Sequence, residues 1–107
     1  MLRKIGTTLT GKSFNEQTEL SVWKKGEFVK GVDPSKRRKD TCGAFIDWDN
    51  YGETIDNGTG WEIDHIKPVS KNGTDYLSNL QPLQWQNNRY KGDDFPDWSC
   101  LKGDNII

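Results

Sequence analysis

No apolar run in this chain approaches the ~20 residues that a membrane-crossing helix needs, so a membrane span is not expected. Nothing in residues 1–13 has the apolar stretch of a secretory signal either, although Arg3 and Lys4 imitate its basic start. Both absences point to a cytoplasmic protein. Cysteine is scarce: Cys42 and Cys100 are too few to form a structural zinc site by themselves, because such sites take four Cys or His ligands. Without a targeting signal, two reduced thiols are expected rather than a disulfide. Net positive charge is missing as well. The formal charge is −1, which does not advertise a nucleic-acid binder. Hydrophobic residues make up only 32% of 107 positions, so the core is modest, with five Trp and four Phe supplying much of it. Histidine occurs once, as His65.

The charge is unevenly spread. Residues 1–46 hold ten Lys/Arg against five Asp/Glu, a net of +5, whereas residues 47–107 hold five against eleven, a net of −6. Lys36, Arg37, Arg38 and Lys39, with the Lys24/Lys25/Lys30 group, form the candidate phosphate-facing surface. A solvated basic turn is the plainer reading of the same run. The length suits a single domain over 1–107. Its expected parts are an N-terminal segment (1–13), a supporting helix, basic segment and hairpin (14–60), a compact unit (61–93) and an irregular tail (94–107).

Within the support region, Ser13 and Glu16 have the spacing of a capping box. The helix it opens, over 14–25, places Phe14, Leu20 and Trp23 on one side and stops at Gly26. Residues 27–29 form a short extended piece, Asp33-Pro34 a turn, and 42–48 a strand. Asp47 and Asp49 invite comparison with an EF-hand loop, but Tyr51 and Gly58 stand where that loop needs ligands, so residues 49–60 are a surface connector. Asn57-Gly-Thr and Asn72-Gly-Thr are read as turn chemistry rather than glycosylation sites. In the tail, Phe95 and Trp98 are expected to pack back onto the domain.

The chain is organised around residues 61–93. Residues 61–66 alternate apolar and polar as a short strand does; Lys71-Asn72-Gly73-Thr74 is a turn; 80–83 return as a second strand; 85–91 form a helix that stops at Gly92. Strand, loop, strand and helix therefore follow within about thirty residues, with Asp64-His65 at a strand end and Asn88 on the helix across a small cleft. A hard cation such as Mg²⁺ takes oxygen ligands and keeps several waters. Asp64 and Asn88 make a sparse site of that type, and a neutral imidazole at His65 suits removal of a proton from water. Lys91, one helical turn after Asn88, is in reach of a phosphate. Glu62 shares the strand face of Asp64; it is an auxiliary ligand or, more simply, a surface charge. Trp61 and Trp85 are most simply core residues.

Asp64-His65, Asn79 fourteen residues after His65, and Asn88 nine residues later resemble the HNH endonucleases in their His-Asn-Asn version. Upstream runs, Val22-Trp23-Lys24-Lys25-Gly26, Arg38-Lys39-Asp40-Thr41-Cys42-Gly43 and Tyr51-Gly52, extend the likeness to small bacterial and phage members, over 14–93. The resemblance implies an α+β fold: a ββα-metal (His-Me finger) unit with an N-terminal helix, additional short strands and no zinc ribbon. Many such proteins carry two cysteine pairs around a structural zinc, a pattern this chain departs from, and no zinc is expected. The implied activity is DNA cleavage with Mg²⁺, Mn²⁺ or another divalent cation held by Asp64 and Asn88. His65 is then the general base, Asn79 a brace for the loop that orients it, and Lys91 and Arg89 phosphate contacts. RNA is an alternative substrate, and a homodimer or protein partner could supply specificity. The alternative function is a non-catalytic nucleic-acid-binding or protein-interaction module on the same scaffold.

Overall fold

Asn15, rather than Ser13, caps the first helix. Its side chain accepts a hydrogen bond from Thr18 N at 2.8 Å, and α1 runs Glu16–Trp23. Both residues are good N-caps, and the one nearer the first helical turn takes the role. The consequence is a shorter helix than the capping-box spacing predicts. Phe14 is buried ahead of it, Val22 and Trp23 are its buried residues, and Leu20 is exposed.

The computed structural model describes residues 3–103. Among them are two helices and two separate two-stranded antiparallel sheets, an α+β arrangement. β1 (Arg37–Lys39) pairs with β2 (Phe45–Asp47), with Arg38 opposite Ile46. The basic run is thus a strand rather than a turn. Glu27 joins its edge through a bridge to Lys39, so the extended piece expected at 27–29 is a single bridging residue. β3 (Trp61–His65) pairs with β4 (Leu80–Gln84), from Trp61 opposite Gln84 to His65 opposite Leu80. α2 (Trp85–Lys91) follows β4 without a gap and ends at Gly92, whose φ is +55°. No helix among the described residues is long and apolar enough to cross a membrane.

The core lies between α1, β2 and the β3–β4 pair. Trp23 and Trp61 meet with ring centroids 5.3 Å apart, Trp48 and Tyr51 pack on Trp61, and Val22, Ile46, Ile63 and Leu80 complete the cluster. Trp85 is only half-buried; its indole donates to Ile55 O and so pins the 49–60 connector onto α2. Between β3 and β4 the chain turns at Asn72, in the left-handed region at φ +70°, and Gly73, where a Cβ would come within 1.6 Å of Lys67 O. Asn57 also has positive φ, so both Asn-Gly-Thr runs are turns.

The thiols expected to be reduced are joined as a Cys42–Cys100 disulfide. The pairing depends on where the tail returns. Asn87 accepts from Leu101 N and Lys102 N and donates to Lys102 O, which brings the two Cα atoms to 5.7 Å, within bridging range. Trp98 lies over the Lys91 ammonium, while Phe95 stays exposed.

A single buried carboxylate joins the two halves of the chain. Asp40 accepts from Cys42 N and Ala44 N through Oδ1, and from Gln84 N and Asn87 Nδ2 through Oδ2. Burial pushes its carboxyl up, and those four hydrogen bonds oppose the push. We expect Asp40→Ala to destabilise the fold by about 3 kcal/mol in urea titrations, because interior N–H groups lose their acceptor. The raised value means that the folded chain holds this proton more tightly than the unfolded one. The ionisation-linked part of Asp40's contribution is therefore complete below the ordinary carboxylate value of 3.8 and is lost as pH rises through the raised value. The wild-type-minus-variant difference should accordingly shrink from acid to neutral pH.

Candidate active site

Alternation along β3 sends its side chains two ways. Trp61 and Ile63 enter the core and His65 packs on Phe14, with ring centroids 5.9 Å apart. Glu62 and Asp64 meet α2 instead. Asn88 Nδ2 donates to Glu62 Oε1 and Arg89 to Glu62 Oε2, both at 2.9 Å. Lys91 Nζ lies 3.3 Å from Asp64 Oδ1 and 3.2 Å from His65 O. Glu62, taken from sequence most simply as a surface charge, is buried and holds two helix side chains at once.

Asp64, His65 and Asn88 line one cleft of about 130 Å³, together with Arg89, Pro68, Gly92 and Asp93. The N-terminal segment contributes Arg3, Ile5 and Gly6 to its wall, a contribution that no periodicity in residues 1–13 announces. Arg3 is held there by donating to Thr7 O at 2.8 Å. The cleft has room for several waters.

The hydrogen-bond partners decide which atoms remain for chemistry. A carboxylate only accepts, so Glu62 fixes the Asn88 amide with its nitrogen inward. Asn88 Oδ1 then has no hydrogen-bond partner among the described residues. By the same rule, Asp75 Oδ1, 2.8 Å from His65 Nε2, puts the ring proton on Nε2 and leaves the Nδ1 lone pair in the neutral ring. Asp75 itself accepts from Leu9 N through both oxygens, at 3.0 and 3.1 Å. Burial pushes the Asp64 carboxyl up, opposed first by the hydrogen bond from Gln81 Nε2 and then by the Lys91 charge.

Asn79 spans the loop between the strands. Its Oδ1 accepts from Lys67 N, and its Nδ2 donates to Lys67 O and Thr74 O. Ile66 N also donates to Asn79 O, so the segment directly after His65 is tied on both sides.

Three of the cations expected at phosphate are engaged by partners within the chain. Lys91, expected at a phosphate, is 1% exposed with its ammonium directed at Asp64. Arg38, expected on the phosphate-facing surface, donates to the carbonyls of Pro34, Lys24 and Gly26 and is buried between Trp23 and Phe28. Lys25 donates to Leu77 O and Leu80 O. Of the remaining cations, Arg37 is paired with Asp47, and Lys36 is exposed beside it; neither lines the cleft. Arg89 does, with its side chain 42% exposed.

No group of three or more His, Cys, Asp or Glu side chains able to hold a metal occurs among the described residues. A cation at this cleft would rely on Asp64, the Asn88 amide oxygen and water. Both protein donors are hard oxygens, which fits a magnesium-like ion and not zinc.

A family model described as HNH endonuclease matches residues 40–94, a little over half of the chain. The match takes in β2, the β3–β4 pair and α2. No curated protein and no solved structure matches the chain.

Removing one member of the buried Asp64–Lys91 pair should leave the other charge uncompensated. Asp64→Ala is expected to lower stability by about 3–5 kcal/mol. The double variant Asp64→Ala/Lys91→Met is expected to recover much of that loss, and urea midpoints of the two variants against wild type measure the coupling.

Proposed function

The chain belongs to the HNH endonuclease family, and on that premise we propose that it is a divalent-metal-dependent endonuclease that hydrolyses DNA phosphodiester bonds at the His65 cleft. Nuclease activity on a nucleic acid is what the family implies. The finer reading rests on one observation: Glu62 and Asp75 take up one end each of Asn88 and His65. The atoms left over are Asn88 Oδ1 and His65 Nδ1, on two residues that line one cleft with Asp64.

Asp64 and Asn88 Oδ1 are the residues that would hold Mg²⁺ or Mn²⁺. Such a cation, when bound, supplies positive charge against the phosphate and the leaving oxygen. His65 Nδ1 accepts a proton from water, and the oxygen so freed attacks phosphorus while the P–O bond to the leaving group breaks and that oxygen takes the electron pair. Asn79 fixes the loop leaving His65, so that the ring is held at its strand end. Arg89, which lines the cleft with one guanidinium nitrogen on Glu62 and an exposed side chain, is a phosphate contact there. Lys36 and Lys39 would meet the DNA backbone outside the cleft, where their contribution is salt-dependent.

Lys91 contributes differently. Its buried ammonium neutralises Asp64 and ties the helix to His65 O, a positioning duty. The same contact favours the second reading, a non-catalytic nucleic-acid-binding module, because a cation already stands at the carboxylate.

Supercoiled-plasmid nicking with Mg²⁺, Mn²⁺ or EDTA separates the two. Wild type should nick with metal and fail in EDTA, while His65→Ala and Asn88→Ala lose on the order of 10²-fold or more of the rate. Circular dichroism must show both variants folded. DNA binding without cleavage under either metal would move the assignment to the binding module, and cleavage surviving in both variants would place the chemistry elsewhere.

A further inference from the structure

Asp75 belongs to no motif in the sequence. It lies ten residues after His65 in the loop between β3 and β4, with Thr74 before it and Tyr76 after it. Yet it holds the single closest polar contact of the histidine ring, Oδ1 to Nε2 at 2.8 Å. The His65 side chain is 4% exposed and that of Asp75 36%, and Asp75 lines a separate groove with Ser13, Phe14 and Asn15, so it approaches the ring from the N-terminal segment's side and not from the cleft of Asp64 and Asn88.

We propose that Asp75 is a positioning residue for His65: it selects the Nε2–H tautomer and fixes the ring plane, and is itself held by the backbone of the N-terminal segment. This rests on the nuclease reading for its effect on rate, but not for its effect on the ring. Three observations carry it. A carboxylate facing Nε2 can only accept, so the neutral ring must carry its proton there and keep the lone pair at Nδ1. Phe14 packs against the ring at 5.9 Å and 43°, restricting rotation that a single hydrogen bond would leave open. Leu9 N donates to both Asp75 oxygens, so the loop carboxylate is braced from a segment 66 residues away in sequence. Residues 3–14 therefore reach the histidine twice, by the Leu9 brace and by Phe14.

Neutral imidazole exchanges its proton between two nitrogens, and only one tautomer leaves Nδ1 able to take a proton from water. Losing the acceptor at Nε2 lets the other tautomer and other ring angles fill. Misplacement of this order lowers the chemical step without touching substrate affinity.

His65 is the only histidine, so ring ¹⁵N NMR of the full chain reports this site alone. With the ring neutral, wild type should show the proton on Nε2. Asp75→Ala should give a mixture of tautomers, and Asp75→Asn, which keeps an acceptor oxygen, should restore the Nε2–H form. In plasmid nicking, Asp75→Ala should lose about 10²-fold in kcat with KM little changed, and Asp75→Asn should recover most of it. A tautomer unaltered by Asp75→Ala in the folded protein overturns the proposal, as does wild-type kcat in that variant. If wild type proves inactive, the nuclease reading fails while the ring spectrum still decides Asp75.

Discussion

The register of β3 against β4 is the constraint on which the rest depends. With Trp61 opposite Gln84 and His65 opposite Leu80, Trp61 and Ile63 enter the aromatic core and His65 reaches Phe14, while Glu62 and Asp64 face α2. Side-chain direction alternates strictly along a strand, so a slip of one residue would bury Glu62 and Asp64 among tryptophans. The penalty for placing carboxylates there specifies the pairing as firmly as the hydrophobic gain does. The Asn72-Gly73 turn and the Asn79 brace act in the same direction, because they set where β4 begins.

The second helix shows how so little apolar sequence can still hold a site in place. α2 has no apolar stripe, and it docks through three buried carboxylates. Asn87 donates to Asp40, Asn88 and Arg89 to Glu62, and Lys91 to Asp64. Each carboxylate is deeply buried and would be unfavourable alone. Each is satisfied by a helix side chain, and two of the three receive a cation. Such a network is directional. It sets the rotation of α2 about its axis more tightly than apolar contact would, and that rotation brings Asn88 to the cleft.

Much of this was legible in the sequence. Period-two alternation marks β3, Gly92 stops α2, and the spacing of Asp64, His65, Asn79 and Asn88 names the family; those signals are local. The misreadings share a physical origin, since they concern partners far apart in the chain. Lys91 reads as a phosphate contact until Asp64 is known to lie under it. Arg38 sits in a basic run, yet it satisfies three carbonyls beside Trp23. Glu62 is one charge among many until α2 covers it. The disulfide depends on Asn87 folding the tail back, which no spacing between Cys42 and Cys100 encodes. Asp75 has no periodic context at all, because irregular loops place side chains by their own turns rather than by a repeat.

These long-range partners lie partly outside the stretch that the family shares. The match covers 40–94, but one wall of the cleft is Arg3, Ile5 and Gly6, the ring of His65 rests on Phe14, and Asp75 leans on Leu9. On the other flank, Cys100, Leu101 and Lys102 close over Asn87, the neighbour of Asn88. The matched stretch carries Asp64, His65 and Asn88, and both flanks of this chain pack against those residues or their neighbours and complete the wall of the cleft.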